Sequence, residues 1–376
     1  MFNKRTFSFI LAVGLFYFAP TVNASCQFSP TTIYPQSQTI ISTIPLSSLN
    51  NLSAPPGTPV GQIIYRQTIS ISQGGNSPGL TIKCSGPGSL QQGYEYASLP
   101  WPVSNYSDTV YRTNLPGVGV RVNQYNIGYP IYESASSCFP KDAPGCSFKG
   151  LSLYANLDLI KISEDLAPGT INGTDLPIIR RSYGQAKSMV SVYEFNFSGS
   201  LTITTPTCNI TTTSGVMTVR MGENSIKKFT GKGSATPWKN AGITLTCPET
   251  FYGNSGVDNL VVSAGDYSSG TGTTTGSLRQ NFWQLNLTPA NGTIDATKGI
   301  IAINDSPIKA TGIGIQLSKS ANNNGIIDLN SRIVGLFSNT GTKQIIIPLY
   351  ARYIQTEDKV LPGRADGNLI YTISYQ

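Results

Sequence analysis

The chain has 376 residues and no histidine, and this absence limits the chemistry that its side chains can perform. Catalytic triads that need an imidazole, zinc sites with histidine ligands and histidine-based acid/base catalysis are all excluded. A pair of carboxylates could still hydrolyse a glycoside, but Asp108 and Asp142 are weak candidates for that reaction. Only 12% of the residues are charged. We therefore expect a binding protein rather than an enzyme, with no catalytic residue, no metal and no cofactor.

A sugar-binding site needs aromatic faces and a few fixed amide, hydroxyl or carboxylate groups, and two clusters of the sequence offer them. The first cluster lies within Tyr96–Asn114 and contains Trp101, Asn105, Tyr106 and Asp108. The second begins at Asn123 and continues through the cysteine-bounded loop CFPKDAPGC to Lys149. Binding loops are usually presented at one end of a rigid scaffold. The scaffold must therefore position these two clusters.

The scaffold is predicted to consist of β-strands, because apolar residues recur with a period of two. The clearest examples are Leu201–Thr205, Gly242–Thr246, Thr311–Leu317 and Leu369–Tyr375. Glycine, proline and asparagine separate such segments, and no long amphipathic helix is predicted. The Ser/Gly/Thr run at 268–277 is predicted to be a mobile loop. The sequence thus predicts an all-β protein, and its length fits two domains.

Residues 1–24 have the composition of a secretory signal, with a basic start and an apolar middle at residues 7–18. The mature chain is expected to begin at Ser25. Two of the 26 basic residues, Lys4 and Arg5, lie in the signal, so 24 remain against 19 acidic residues and the net charge is +5. This charge forms no basic run, so we expect no nucleic-acid partner.

Export would place the six cysteines in an oxidising compartment, where an even number predicts three disulfides. The expected pairs are Cys26–Cys84, Cys138–Cys146 and Cys208–Cys247. A bond between Cys84 and Cys138 remains an alternative. Closing the loop from Cys208 to Cys247 is expected to stabilise the fold by about 4 kcal/mol on the loop-entropy model.

The C-terminal half of the sequence resembles the pilin domains of bacterial chaperone-usher fimbriae over about residues 205–376. Four motifs carry the resemblance in order: TPTCNITTTSGVMTVRMG, GITLTC, ATGIGIQL and IIIPLYARYIQTEDKVLPGRADGNLIYTISYQ. It implies an incomplete immunoglobulin-like β-sandwich that lacks its last strand. It also implies donor-strand complementation, first by a periplasmic chaperone and then, after transfer at the outer-membrane usher, by the next fimbrial subunit.

The last residues of the sequence explain this deficit. In the segment LIYTISYQ, alternate side chains point to one face, and the sequence then stops. Nothing remains to cover the neighbouring edge, which would promote aggregation unless another polypeptide adds a strand. The residues expected to line this donor-strand groove are Leu369, Tyr371, Ile373 and Tyr375.

The start of the expected mature chain places the subunit within the fibre. Only Ser25 precedes Cys26, and the pilin-like Cys208 follows an entire extra domain. Such a subunit can accept a strand but has none to donate, which fits only the distal end. The resemblance thus narrows to a two-domain tip adhesin with an elongated, immunoglobulin-like lectin sandwich at its N-terminus. The expected boundaries are 1–24 signal peptide, 25–201 receptor-binding domain, 202–206 linker and 207–376 pilin domain.

Two segments, PGVGVRVNQYN at 116–126 and KGLSLYANLDLIK at 149–161, resemble the strands beside the sugar loops of N-acetylglucosamine-binding fimbrial lectins. This resemblance favours the second cluster as the glycan site. An Asp and a Trp of that family's site have no counterpart here, so its sugar is not carried over. One tyrosine is expected to stack on a sugar ring. The predicted glycan-binding residues are Tyr125, Asn126, Tyr129, Ser147, Phe148 and Lys149.

The sequence therefore predicts a non-enzymatic tip adhesin that attaches bacteria to a host surface glycan. The alternative is a tip subunit that binds a host protein or acts mainly as an assembly initiator. The expected partners are the glycan receptor, the periplasmic chaperone, the outer-membrane usher and the next subunit. The expected location is the fimbrial tip on the bacterial cell surface, reached by secretion through the periplasm.

Overall fold

The computed structural model describes residues 25–32, 35, 37–46, 51–71, 80–85, 89–135, 145–148, 153–186, 188–211, 216–255, 261–266, 270–275, 278–341 and 343–376. The helical elements in these ranges are three short 3-10 helices, at Gly173–Asp175, Ile226–Lys228 and Asn323–Gly325. Strands form the rest of the regular structure, which confirms the predicted all-β class. No helix in the described part of the chain is long and apolar enough to cross a membrane. The predicted signal at 1–24 lies outside the described residues.

The N-terminal unit is built from strands that precede residue 205. They are β1 (Ser25–Phe28), β2 (Ile40–Pro45), β3 (Asn51–Ser53), β4 (Ile63–Ile71), β5 (Leu80–Ser85), β6 (Gln91–Ser98), β7 (Tyr111–Arg112), β8 (Val118–Gln124), β9 (Ile127–Gly128), β10 (Ile131–Ser134), β11 (Gly145–Phe148), β12 (Leu153–Lys161), β13 (Gly169–Asn172), β14 (Ile178–Gln185), β15 (Ser188–Ser198) and β16 (Ser200–Thr204).

Two sheets of this unit enclose its hydrophobic core. One has the order β10-β6-β14-β15-β2, and the other contains β4-β12-β8-β7. Smaller sheets, β1-β5-β11 and β13-β16-β3, flank them. Alternate residues of β12 point inward, so that Leu157 and Leu159 pack with Tyr183 and Phe195 of the opposite sheet in one buried cluster. The other face of β12 is left for polar residues.

The C-terminal unit contains the remaining strands. They are β17 (Asn209–Ile210), β18 (Lys239–Asn240), β19 (Ile243–Thr246), β20 (Val261–Asp266), β21 (Gly270–Thr275), β22 (Phe282–Pro289), β23 (Thr293–Asp295), β24 (Ile300–Ile301), β25 (Ile313–Ser318), β26 (Ile333–Leu336), β27 (Gln344–Ile347), β28 (Tyr350–Gln355) and β29 (Leu369–Tyr375). Their sheets are β17-β19-β27, β18-β28-β25-β24-β23 and β26-β22-β29. A second core, which includes Leu245, Leu285 and Leu317, lies between them.

Two of the predicted disulfides are confirmed. Cys26 is bonded to Cys84, which joins the paired strands β1 and β5, and Cys208 is bonded to Cys247. The third predicted pair includes Cys138, which lies outside the described residues.

Two sequence expectations differ from the structure. The predicted linker at 202–206 begins inside β16, which is hydrogen-bonded to β13 and β3, so it is largely part of the N-terminal unit. The predicted mobile loop at 268–277 contains β21, which pairs antiparallel with β20. The alternating threonines of β21 suit a strand, and the low complexity of the run concealed this preference.

The two units are joined through backbone and side-chain hydrogen bonds. β20 of the C-terminal unit pairs in parallel with β4 of the N-terminal unit, and the hairpin β20–β21 thereby extends that sheet. Ser255 accepts a hydrogen bond from the backbone N–H of Arg66 (2.7 Å), and its own N–H donates to Ile64 (3.2 Å). The backbone N–H of Ser53 donates to Gly253 (2.7 Å). Each unit therefore provides hydrogen-bond partners for backbone groups of the other.

Candidate functional site

The turn between β8 and β9 presents two of the predicted glycan-binding residues. Tyr125 (φ 49°) and Asn126 (φ 66°) both have left-handed backbone conformations, as a two-residue hairpin turn of type I′ requires. The strands on either side are paired, with Asn123 opposite Gly128. The turn therefore projects from the end of the sheet, and the Tyr125 side chain is 74% exposed.

Tyr125 is not alone at this end of the sheet. Its ring stacks on that of Tyr154 from β12, with 5.8 Å between the ring centroids and 22° between the ring planes. Tyr154 is itself 38% exposed. We call Tyr125 and Tyr154 the tyrosine pair. It is an exposed aromatic surface of the kind that can stack on the C–H face of a sugar ring.

Polar side chains lie beneath the tyrosine pair on the same face of the sheet. In the first row, Thr68, Asn156 and Asn123 occupy neighbouring positions on β4, β12 and β8. All three are buried, and the Thr68 hydroxyl donates to Asn156 Oδ1 (2.8 Å). Asn123 Nδ2 donates to Asp158 Oδ2 in the next row (2.7 Å). This network fixes the strand that leads into the Tyr125 turn.

The next row holds a buried carboxylate between two arginines. Asp158 is fully buried, and its Oδ2 accepts hydrogen bonds from Arg66 Nη2 (2.7 Å) and Arg121 Nη2 (2.9 Å). A side-chain hydrogen bond to Asp158 raises the pKa of Arg66 above its usual value, although burial opposes the shift. Both arginines thus satisfy the buried carboxylate through hydrogen bonds, and the row serves as a rigid support.

The other predicted glycan-binding residues lie in different surroundings. Tyr129 is 1% exposed and packs against the rings of Tyr94 (6.1 Å) and Tyr96 (5.9 Å), so its ring belongs to the core. Ser147 and Phe148 are in β11, whose backbone pairs with β5. Lys149 lies outside the described residues. The structure thus brings Tyr125 and Asn126 together at the exposed turn and separates them from the Tyr129 ring.

The first sequence cluster borders a cavity of about 930 Å³ at the opposite end of β8 and β12. Trp101, Asn105 and Tyr106 are among its lining residues, together with Arg112. Asp108 is not among them. The neighbouring Thr109 contacts the β8–β9 hairpin, because a Cβ atom at Gly128 would lie only 2.6 Å from Thr109 Cβ.

The C-terminal unit has an open sheet edge. β29 pairs with β22 on one side, and its other side has no strand partner among the described residues. The inward residues Leu369, Tyr371 and Ile373 are only half-buried, although they pack against the core. Residues 216–221 form no strand, and the alternate residues Met217, Val219 and Met221 also contact the core. We call β29 and residues 216–221 the acceptor edges.

Sequence reasoning missed Tyr154 and the buried polar rows. The segment ANLDLIK does contain their signal, since Asn156 and Asp158 alternate with apolar residues in a strand that otherwise reads as buried. A buried strand needs partners for such groups. Those partners come from β4 and β8, which local sequence does not identify.

Comparisons with known proteins agree with this two-unit arrangement. Residues 195–376 match the family model described as "Fimbrial protein", and residues 48–198 match that described as "MrkD-like receptor binding domain". A "Fimbria adhesin protein" of Klebsiella pneumoniae is 24% identical over 324 residues, which cover 85% of this chain and 87% of that protein. These matches identify a fimbrial adhesin with an N-terminal receptor-binding domain and a C-terminal pilin domain.

Solved structures of adhesins are also similar to the chain. The receptor binding domain of the plasmid-born adhesin MrkD1P of Klebsiella pneumoniae is 20% identical, with a TM-score of 0.33, and the match covers 50% of this chain and 99% of that one. The CupB6 tip adhesin of Pseudomonas aeruginosa is 11% identical, with a TM-score of 0.31, and the match covers 93% and 94%.

The predicted recognition as a two-domain fimbrial adhesin is confirmed, as is the prediction of a binding protein rather than an enzyme. It acts outside the cell as a fimbrial adhesin.

Proposed function

We propose that the receptor-binding domain attaches to a host surface glycan at the tyrosine pair, and that the pilin domain joins the fimbria by accepting a donor strand. The observation that carries the first part is the exposed stack of Tyr125 on Tyr154 above a buried polar network. The observation that carries the second is the unpaired side of β29 among the described residues.

The tyrosine pair fits a shallow carbohydrate site. Its rings offer an apolar face, and the exposed Asn126 amide beside them can donate to and accept from sugar hydroxyls. Ser147, Phe148 and Lys149 remain proposed contributors. A shallow site of this size binds each sugar weakly, so firm attachment needs many fimbriae acting together.

The acceptor edges fit a strand that comes from another polypeptide. An added strand could hydrogen-bond to β29 and place alternate apolar side chains over Tyr371 and Ile373. A periplasmic chaperone supplies this strand first, and the next subunit replaces it at the usher. Residues Ser200–Thr204, which directly precede the pilin domain, are already paired within the receptor-binding domain and cannot be donated. This pairing supports our proposal that the subunit lies at the fimbrial tip.

Glycan binding can be tested with purified fimbriae that carry the full chain on a glycan array. Tyr125→Ala is expected to weaken binding by about two- to thirteenfold, since one stacking contact contributes about 0.5–1.5 kcal/mol. Tyr132→Ala, which removes another exposed tyrosine, is the matched control and should bind as the parent does. Binding of a host protein without any glycan signal would contradict the proposal, and release of a sugar product would indicate a hydrolase.

Donor-strand acceptance can be tested by fusing a strand of alternating apolar residues after Gln376 through a short flexible linker. The fusion is expected to raise the melting temperature of the pilin domain and to suppress aggregation. The control is the same fusion with serine at the apolar positions. Equal stability of the two fusions would refute acceptance.

A further inference from the structure

The cavity beside the first sequence cluster is not used by the proposed glycan site. It lies where β8 begins and β12 ends, whereas the tyrosine pair lies at the other end of these strands. Its volume of about 930 Å³ is within the range of small-molecule sites. It is therefore large enough to hold one or two sugar rings.

Hydrogen bonds hold the walls of the cavity in place. The backbone N–H of Arg112 donates to the Pro102 carbonyl (2.9 Å), and the Thr113 hydroxyl donates to the Val118 carbonyl (3.0 Å). Gly117 has φ +83°, and a Cβ atom there would lie 2.5 Å from the Asp165 carbonyl oxygen. Only glycine fits this close approach. The cavity is thus preformed.

Two aromatic side chains of the wall are open to solvent. Trp101 is 37% exposed and Tyr106 is 45% exposed. The indole of Trp101 therefore offers an apolar surface to a ligand in the cavity.

The charge of the cavity wall is positive. Arg112 is exposed, and among the described residues it has no ion-pair partner. The lining residues include no aspartate or glutamate. The nearby Glu164 already contacts Lys161 Nζ (3.4 Å). A guanidinium with free N–H groups and a partly exposed indole, both lining one cavity, suit a ligand that carries a planar carboxylate on a ring with an apolar face.

We infer that this cavity is a second ligand site, which binds a carboxylated sugar residue such as a sialic or a hexuronic acid. Arg112 forms a charge-assisted hydrogen bond to the carboxylate, and Trp101 stacks on the sugar ring. The Asn105 side chain, also in the lining, is available to the ring hydroxyls. Loss of a hydrogen bond to a charged group costs about 1.5–3 kcal/mol, which corresponds to about tenfold to a hundredfold in affinity.

The test uses purified fimbriae with the full chain and three probes: sialyllactose, a glucuronate-terminated disaccharide and neutral lactose. Arg112→Gln is expected to weaken binding of at least one acidic probe by at least tenfold and to leave lactose unaffected. Arg332→Gln, an exposed arginine of the pilin domain, is the matched control. Trp101→Phe should abolish the change in tryptophan fluorescence on binding. Unchanged melting temperatures verify folding.

Failure of this inference differs from failure of the proposed glycan site. If neither acidic probe binds more tightly than lactose, or if Arg112→Gln leaves their binding unchanged, the cavity is not an acidic-sugar site. The proposed site survives that result as long as some glycan binds in a manner sensitive to Tyr125→Ala. If no glycan binds at all, both are wrong.

Discussion

Two strands of the molecule, β4 and β29, differ in whether another strand covers their outer side. The outer side of β4 in the receptor-binding domain is covered by β20 from the same chain, whereas the outer side of β29 in the pilin domain is uncovered in the described residues. Exposed edges attract foreign strands. The chain therefore covers β4 with a strand of its own and leaves open the edge at which we propose another subunit attaches.

The side chains of these two strands show the consequence. Tyr65 and Ile69 of β4 are completely buried, while Tyr371 and Ile373 of β29 are only half-buried. A covered edge allows a complete core, and an uncovered edge leaves part of the core exposed to water. Apolar burial contributes about 25 cal/mol per Å², so the pilin domain can gain the most from a partner.

The largest expected change in the free energy of unfolding is in the receptor-binding domain. Asp158→Ala would leave the buried guanidinium of Arg66 without its counter-charge, which costs about 3–5 kcal/mol. Urea unfolding of the full chain should show this loss in the transition of the receptor-binding domain. Asp165→Ala, at an exposed site, is the control and should have no measurable effect. A small effect of Asp158→Ala would mean that the row is hydrated.

Two substitutions to alanine, one in the core of each domain, test the difference between the covered and the uncovered strand. Leu157→Ala in the core of the receptor-binding domain is expected to lower the free energy of unfolding by about 2–5 kcal/mol. Ile373→Ala at the open edge should cost about 1 kcal/mol, and this cost should increase once a donor strand is fused after Gln376. Urea unfolding with and without the fused strand measures both. An unchanged cost for Ile373→Ala would show that no strand covers this residue.

A smaller effect is expected where the two domains meet. Ser255→Ala removes the acceptor for the backbone N–H of Arg66, and an unsatisfied buried donor costs about 1–3 kcal/mol. Calorimetry should show the two domain transitions further apart. Ser331→Ala, an exposed serine of the pilin domain, serves as control. Identical thermograms for Ser255→Ala and the parent would indicate that this contact does not couple the domains.

The smallest expected effect is on the stability of the receptor-binding domain at alkaline pH. A hydrogen bond to Glu95 raises the pKa of Tyr132 to about 12, and burial raises that of Tyr193 to about 12, both from 10.0. Their contribution to stability is complete below about pH 10 and is lost as the pH rises towards about 12. Tyr132→Phe should therefore flatten the fall in unfolding free energy over this interval. An unaltered slope would exclude Tyr132 as a source.

Much of the fold could be predicted from local sequence. The period of two gave the class of the fold, and the interval Leu369–Tyr375 coincides with β29. The pairing Cys208–Cys247 was also predictable, because these are the two cysteines of the C-terminal half, whereas Cys26–Cys84 was expected with Cys84–Cys138 as an alternative. The site was predicted less well. Tyr125 and Asn126 reach an exposed turn as their position after a strand suggests, but nothing local distinguishes the buried ring of Tyr129 from them.

The sequence by itself determined the alternation of each strand, and with it the residues that share one face. Tertiary structure alone decided which strands became neighbours: Tyr154 beside Tyr125, the rows of Asp158 against Arg66, and β20 against β4. The physical reason is that alternation depends on the backbone geometry of adjacent residues, whereas pairing depends on the free energy of packing segments far apart in the chain.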